Sequence, residues 1–438
     1  MAISKKTWLG VAREATAGTM QAAPTLFTPA SVKFKNVKKR IYFQEDRNTR
    51  DGNNSVVDGT RHSEGEISGA WYNDTSVYFL LAFMGADSAS QPAVGTDPTV
   101  WQHALSLTDN PLPLDFWLGY DSDDLGFGYN MAYNVIKSIK IKWQAGEAAK
   151  AFEITSSTLG QPFTKITSGF PPVPALPVPT TAGTGGTVLA GTYKVQVAYV
   201  TATGESAPST QASIVTVGST STITIPSPAA SSGATGWYAY VSQAGGSALT
   251  RQQPSGSPST IGTALTLTAP PTSTGAAPQV SLIPTYSTLN PLPGYAPLIS
   301  LSSVQSNDIE EFEIDLEQKY TLFSPSNGSP AWVTAYPGER TAKVSFTARF
   351  DTDALYQKYA VNTGIDDSLV ITVNGPIISH AYTQQLILDF PLLGYDDMEQ
   401  DTSKDNIQLK VKATPRPGPN ANSLFTASVQ NTIASYAL

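Results

Sequence analysis

The sequence contains no cysteine, so disulfides cannot staple the fold and no thiolate can act as nucleophile or metal ligand. Charge is sparse too: Asp, Glu, Lys and Arg make up 14% of 438 residues, roughly half the usual share. Histidine occurs only as His62, His103 and His380, without metal-ligand spacing, which argues against a structural zinc site. The longest uninterrupted apolar run, Val77 to Met84, falls far short of the roughly 20 residues a membrane-spanning helix needs. The apolar stretch from Trp8 to Ala12, behind Lys5 and Lys6, is too short for a signal-peptide core. These absences predict a chain made in a cytoplasm, without a membrane partner, and stabilised by packing and association. The formal net charge of −8 argues against a dedicated nucleic-acid binder, which needs clustered Lys and Arg to neutralise phosphates. No Gly-x-Ser-x-Gly elbow or phosphate-binding loop is present, and Gly183-Thr-Gly-Gly186 lacks the lysine and reads as a flexible turn. No catalytic, metal or cofactor site is therefore expected. Carboxylates are numerous enough to keep a glycan-cleaving enzyme as a rival class, but nothing picks out one pair.

Gly, Pro, Ser and Thr are abundant, and with 40% hydrophobic residues they favour short strands and turns over long charged helices. A chain of this length exceeds one hydrophobic core, and two to three domains are expected. Five prolines between Phe170 and Pro179 form a stiff connector, and a second Pro-rich stretch runs from Pro270 to Pro297. Three parts follow: residues 1–170, 171–280 and 281–438.

Between the connectors, from Thr180 to Ala269, the only charged side chains are Lys194, Glu205 and Arg251. Strands are predicted at Thr192 to Val200, Ala212 to Val217, Ser221 to Ile225, Trp237 to Ser242 and Thr263 to Leu267, a density that suits a β-sandwich. The phrases Ala190-Gly-Thr-Tyr-Lys-Val-Gln-Val-Ala-Tyr199, Thr203-Gly-Glu-Ser-Ala-Pro208 and Gly236-Trp-Tyr-Ala-Tyr-Val241 resemble the fibronectin-type or immunoglobulin-like modules of phage virion proteins.

The flanking parts repeat one plan. In the first, a strand at Val32 to Phe43 leads through a long polar loop, Gln44 to Arg61, into a strand at Glu64 to Trp71. Asp74 and Thr75 then offer an N-cap to a short helix, Val77 to Met84. In the second, Glu310 to Leu322 leads through Ser324 to Arg340 into Thr341 to Phe350, and Asp351-Thr-Asp353 precedes a helix at Ala354 to Ala360. The alternating strand Ile139-Lys-Ile-Lys-Trp143 is matched with Leu409-Lys-Val-Lys-Ala413, and Phe152 to Thr158 with Leu424 to Val429.

The opening Trp8-Leu-Gly-Val-Ala-Arg-Glu-Ala-Thr-Ala-Gly-Thr19, with Ala23-Pro-Thr-Leu-Phe-Thr-Pro29, resembles the N-terminus of major tail tube proteins of siphophages. Arg61-His-Ser-Glu-Gly-Glu-Ile-Ser-Gly69, with the helix behind it, resembles the same family. The resemblance implies a mainly β fold: two tube-type sandwich or barrel domains, each with one short helix, around an inserted immunoglobulin-like sandwich. It implies a non-catalytic virion-tail subunit that self-assembles into stacked rings forming the conduit for DNA ejection. Because single-domain members form hexamers, a duplicated chain is expected to close a ring with three copies. Implied partners are further copies, the tape-measure protein and genomic DNA in the lumen, and tail terminator and tail-tip proteins. The long loops are expected to stack rings through Gln44, Asp46, Arg47, Arg50, Asp51, Asp58 and Arg61, and through Ser324, Asn327, Trp332, Tyr336 and Arg340. An acidic or neutral lumen would not retain DNA, and Glu64, Glu66, Glu311, Glu313 and Asp315 are the candidate lumenal acids.

Several features have competing readings. Asp121-Ser-Asp-Asp-Leu-Gly126 starts like a calcium loop but has Leu125 at position five and Ala132 in place of the bidentate glutamate, so it reads as an acidic turn. The acidic cluster Asp396, Asp397, Glu399 and Asp401 reads as a loop or lumenal patch. Lys33, Lys35, Lys38, Lys39 and Arg40 suit a solvated face or a salt-bridged subunit contact better than nucleic acid. Trp237, Tyr238 and Tyr240 offer a sugar-stacking platform only if strand alternation leaves them exposed; a tail-tip or fibre adhesin gripping host glycans through the module is the alternative function.

Overall fold

The computed structural model describes residues 8–14, 16–19, 26–43, 55–119, 128–145, 151–166, 173–201, 204–206, 208–231, 234–253, 257–278, 285–287, 289–294, 297–302, 304–306, 308–324, 331–351, 353–360, 367–403, 406–418 and 423–436. The described chain is mainly β with two short helices. Its first part contains β1 (Trp8–Arg13), β2 (Leu26–Phe27), β3 (Ser31–Phe43), β4 (Ser55–Ala70) and α1 (Val77–Met84). There follow β5 (Gly85–Ser90), β6 (Trp101–Leu107), β7 (Leu114–Gly119), β8 (Gly128–Gln144), β9 (Glu153–Gly160) and β10 (Thr164–Ile166). The middle part holds β11 (Thr180–Ala182), β12 (Gly191–Thr201), β13 (Gly204–Glu205), β14 (Ala212–Thr216), β15 (Thr222–Ile225), β16 (Ala234–Ser242), β17 (Leu249–Arg251) and β18 (Leu265–Leu267). The last part runs through β19 (Thr285–Tyr286), β20 (Pro297–Leu301), β21 (Val304–Ser306), β22 (Ile309–Phe323), β23 (Thr334–Arg349) and α2 (Ala354–Ala360). It ends with β24 (Asp367–Ser379), β25 (Tyr382–Asp401), β26 (Gln408–Arg416) and β27 (Thr426–Asn431).

The two flanking parts share one pairing scheme. In the first, antiparallel neighbours run β2-β1-β7-β8-β9-β4-β3. In the last they run β21-β20-β24-β25-β26-β23-β22, again all antiparallel. A C-terminal strand then pairs with the early half of the long strand in each part, β10 on β8 and β27 on β25. The equivalents are therefore β8 with β25 and β9 with β26. This corrects the expected match by one strand: Ile139 to Trp143 lies on β8, whereas Leu409 to Ala413 lies on β26, the counterpart of β9.

The parts are joined edge to edge. β22 pairs antiparallel with β8 from Glu311↔Gln144 to Glu317↔Ser138, giving one continuous eight-strand sheet, β3-β4-β9-β8-β22-β23-β26-β25. A second joint lies in the other layer, where β27 pairs with β6. Strand alternation explains the layering, since Ile139, Ile141, Phe312, Ile314, Leu316, Val344, Phe346, Leu409 and Val411 all point into one core. Trp143 lies 5.5 Å from Phe312 across the joint, ring centre to ring centre, and Phe152 lies 5.8 Å from Phe312. Each such fully buried side chain contributes about 1.5–3 kcal/mol.

α1 is apolar throughout and buried except at Tyr78, and Gly85 ends it at φ 102°, a conformation that favours glycine. Its N-cap is Ser76 rather than Asp74 or Thr75, and Ser76 makes no side-chain cap bond; its hydroxyl accepts from the Tyr72 N–H at 3.0 Å. Asp74 instead accepts from the Ser287 hydroxyl at 2.5 Å. The middle part forms two small sheets, β11-β15-β18 and β13-β12-β16-β17 with β14 on β12, around Trp237, Val195, Val197, Ile223 and Val241. Neither sheet pairs with a described strand outside this part.

Candidate functional site: a charged sheet face, two strand edges and two hairpin arms

The side of the eight-strand sheet turned away from the core is lined with charge. Alternation puts Lys33 and Lys35 of β3, Glu64 and Glu66 of β4, and Lys140 and Lys142 of β8 on this face. Across the joint, Glu311, Glu313, Asp315 and Glu317 of β22, Lys410 and Lys412 of β26, and Asp397, Glu399 and Asp401 of β25 continue it. All five candidate lumenal acids thus share one face. They do not form a purely acidic wall, because lysines are interleaved with them strand by strand. Lys33 pairs with Glu66 at 2.9 Å, Lys35 with Glu64 at 2.8 Å, Lys140 with Glu313 at 2.6 Å and with Asp315 at 3.1 Å, and Lys142 with Glu313 at 2.5 Å. Lys410 meets Asp401 at 2.7 Å and Lys412 meets Asp397 at 2.9 Å.

The electrostatics follow this lattice. Burial pushes the Glu313 carboxyl up, but bonds from Lys140 and Lys142 outweigh it and hold the group below its ordinary value. Its neighbour Asp315 is raised, chiefly by burial. The Lys410 ammonium, together with the hydroxyl and N–H of Ser403, holds Asp401 well below the carboxylate range. The acidic cluster of residues 396–401 lies on β25 where it pairs with β26, and not in a loop.

Both ends of this sheet are single-sided. Among the described residues β3 pairs only with β4, and the stretch Gly394 to Asp401 of β25 pairs only with β26. Rows of backbone N–H and C=O groups on such edges are templates for another strand.

The described portions of the expected loops are largely strand. Ser55 to Arg61 belongs to β4 and pairs with β3, and Thr334 to Arg340 belongs to β23 and pairs with β22, so each part carries a long two-stranded arm. Toward their outer described ends the arms expose apolar side chains, Ile41, Tyr42, Phe43, Val56 and Val57 on one and Phe323, Val333 and Tyr336 on the other, with Phe43 matching Phe323 and Val57 matching Tyr336. Apart from Tyr336, sequence reasoning passed over these residues. Their signal was the Ile-Tyr-Phe and Val-Val runs beside polar segments.

The expected ring-stacking residues divide into three groups. Gln44, Asp46, Arg47, Arg50, Asp51 and Asn327 lie outside the described residues, as does the calcium-like turn Asp121 to Gly126. Asp58, Arg61, Ser324 and Tyr336 lie on the arms. Asp58 is held low by the Lys38 ammonium and takes Arg61 at 3.1 Å. Trp332 and Arg340 are engaged by partners within the chain. Trp332 is 1% exposed, donates its indole N–H to the Gly160 carbonyl at 3.1 Å and packs 4.6 Å from Tyr133. The half-buried Arg340 guanidinium reaches Gln318 at 2.9 Å and the Thr108 carbonyl. Both fasten the second arm to the first part, where Arg61 also bridges Ala331.

The histidines serve structure: His103 is buried between Asp87 and the Ile433 carbonyl, His62 pairs with Glu64, and His380 meets Asp97 at 2.5 Å. Among the described residues no group of His, Asp and Glu is arranged to hold a metal ion. Trp237, Tyr238 and Tyr240 are all buried, with Arg251 over the Tyr238 ring at 4.6 Å, so these three residues present no stacking platform. No protein-family model matches this chain, and no curated protein matches it either.

Proposed function

We propose that the chain is a structural subunit of a siphophage-type tail tube: copies close into a ring of three, rings stack into a hollow tube, and the charged face lines the conduit. One observation carries this reading. Two equivalent units are already joined edge to edge within the chain, and the sheet so formed ends on two single-sided strands. A structure that extends itself by strand pairing and leaves both ends open is suited to closure by further copies.

Two other features support it. Exposed apolar residues along the described arms recur in both units, where contacts between successive rings would bury them. The interleaved charges of the polar face leave no broad cationic surface on which phosphates would be held by counterion release. The function is mechanical containment, and the residues carry no catalytic role in it.

Electron microscopy of the purified protein at increasing concentration tests the reading. Six-lobed rings and hollow filaments are expected. A species that stays a compact single chain at all concentrations would overturn it.

A further inference from the structure

The joint inside the chain can be compared residue by residue with the edges left open, because both units carry β-bulges at equivalent places. β3 and β4 shift register between Lys38 and Arg40, and β22 and β23 shift between Gln318 and Tyr320. Beside these bulges Gly59 faces the Lys39 carbonyl as Gly338 faces that of Lys319. β8 and β9 shift between Ile136 and Ser138, and β25 and β26 between Tyr395 and Asp397. Matching the first pair of bulges makes Lys33 and Lys35 the counterparts of Glu313 and Asp315. Matching the second makes Glu399 and Asp401 the counterparts of Lys140 and Lys142. The two alignments agree across the sheet, since Ile67 faces Ser156 as Phe346 faces Val411.

Within the chain, Glu313 stands opposite Lys142 and Asp315 opposite Lys140. At the open edges the same four places hold the opposite signs. We infer that β25 of one copy pairs antiparallel with β3 of the next in the register of the internal joint, placing Asp401 opposite Lys33 and Glu399 opposite Lys35. The reversal makes the joint selective. If β22 of another copy took the open edge of β25, Glu313 and Asp315 would face Asp401 and Glu399. If β3 displaced β22 from β8, lysines would face Lys140 and Lys142. Each exchange sets like charges directly opposite one another, which is destabilising. The two units can therefore follow one another only in alternation, and copies cannot swap halves. The backbone ladder holds the joint, and the charges choose its partner.

This inference rests on the proposed ring but not on the tube. Because the chain has no cysteine, engineered pairs report the register without background. Under mild oxidation the Lys35→Cys, Glu399→Cys chain is expected to link copy to copy and run as species of one, two and three chains. The Lys33→Cys, Asp397→Cys chain, offset by four residues, should stay unlinked. Linking by the offset pair alone, or by neither pair in a chain that still forms rings, would overturn the inference. As a second measurement, Lys33→Glu with Lys35→Glu should abolish ring formation, and adding Glu399→Lys with Asp401→Lys should restore it. Rings unaffected by the first two changes would also overturn it. Linked three-chain rings that never stack would leave this joint standing and refute the tube instead.

Discussion

The first and last parts of the chain have the same strand order and share bulges at equivalent places, yet they use their helices and their charges differently. α1 is a buried apolar rod, whereas α2 has no fully buried residue and attaches through the partly buried Leu355 and Tyr356 and through Lys358, which meets the buried Asp367 at 2.7 Å. Equivalent edge positions hold lysines in one part and acids in the other. Backbone architecture is thus kept where sheets must join, while side chains diverge where each unit meets a different neighbour. The first unit is covered by the second inside the chain: Asn73 beside α1 donates to the Gln385 and Gln430 carbonyls, and Tyr78 packs 4.9 Å from Tyr436.

The sharpest way to break this contrast is through the helices. Phe83→Ala in α1 is expected to cost about 3–5 kcal/mol in a denaturant melt, whereas Tyr359→Ala in α2 should change stability by less than about 0.5 kcal/mol. Equal losses would mean that the helices play equal roles. The arms give a second contrast of nearly the same size. Trp332→Ala should cost about 3 kcal/mol or more, because it empties a buried site and leaves the Gly160 carbonyl without its donor.

Two buried carboxyls should give opposite pH slopes. Glu14, 4% exposed, accepts from the Tyr133 and Gly18 N–H groups, yet burial raises it from 4.5 to about 7. Its contribution is complete below pH 4.5 and is lost as pH rises through 7. The stability of wild type relative to Glu14→Gln should fall by on the order of 3 kcal/mol over that window. For Asp367, burial acts upward but bonds from Lys358, Ser302 and Tyr395 hold it below 3.8. Its contribution is present above pH 3.8 and fades as pH falls through its folded value, so Asp367→Asn should narrow the gap to wild type only in acid.

Smaller effects are expected at the surface. Tyr336→Ala should leave the isolated chain within about 0.5 kcal/mol of wild type while shortening any filaments seen by microscopy. Deleting residues 180–269 should leave assembly intact, because no strand of that segment pairs with the remainder among the described residues. Collapse of assembly on deletion would assign the module a role in the wall.

The sequence made some of this readable and concealed the rest for physical reasons. Strands with one buried face were plain: Glu310 to Leu322 alternates, and β22 extends it by one residue at each end. The start of helix α2 at Ala354 is legible from the acids that precede it. The first arm reads as a loop because its described residues are mostly exposed on both faces, so no burial period marks it, whereas the second lays Tyr320, Leu322 and Ala335 against the first part; Asp58-Gly59 and Pro337-Gly338 look like turns when they sit at bulges. The strand match slipped by one because Lys-apolar alternation marks columns of the charged face, and β8 and β26 are different columns of their two units. Trp332 was assigned outward because its partners, Tyr133 and Gly160, lie far away in sequence.

Hydrogen exchange of the β3 and β25 edge amides, compared between the dilute chain and the assembled material, tests the central claim most directly. The account predicts that edge amides within 31–37 and 394–401 exchange readily in the dilute chain and, on assembly, gain protection comparable to the amides that join β8 to β22. Assembled material in which those edges exchange as fast as in the dilute chain would contradict it.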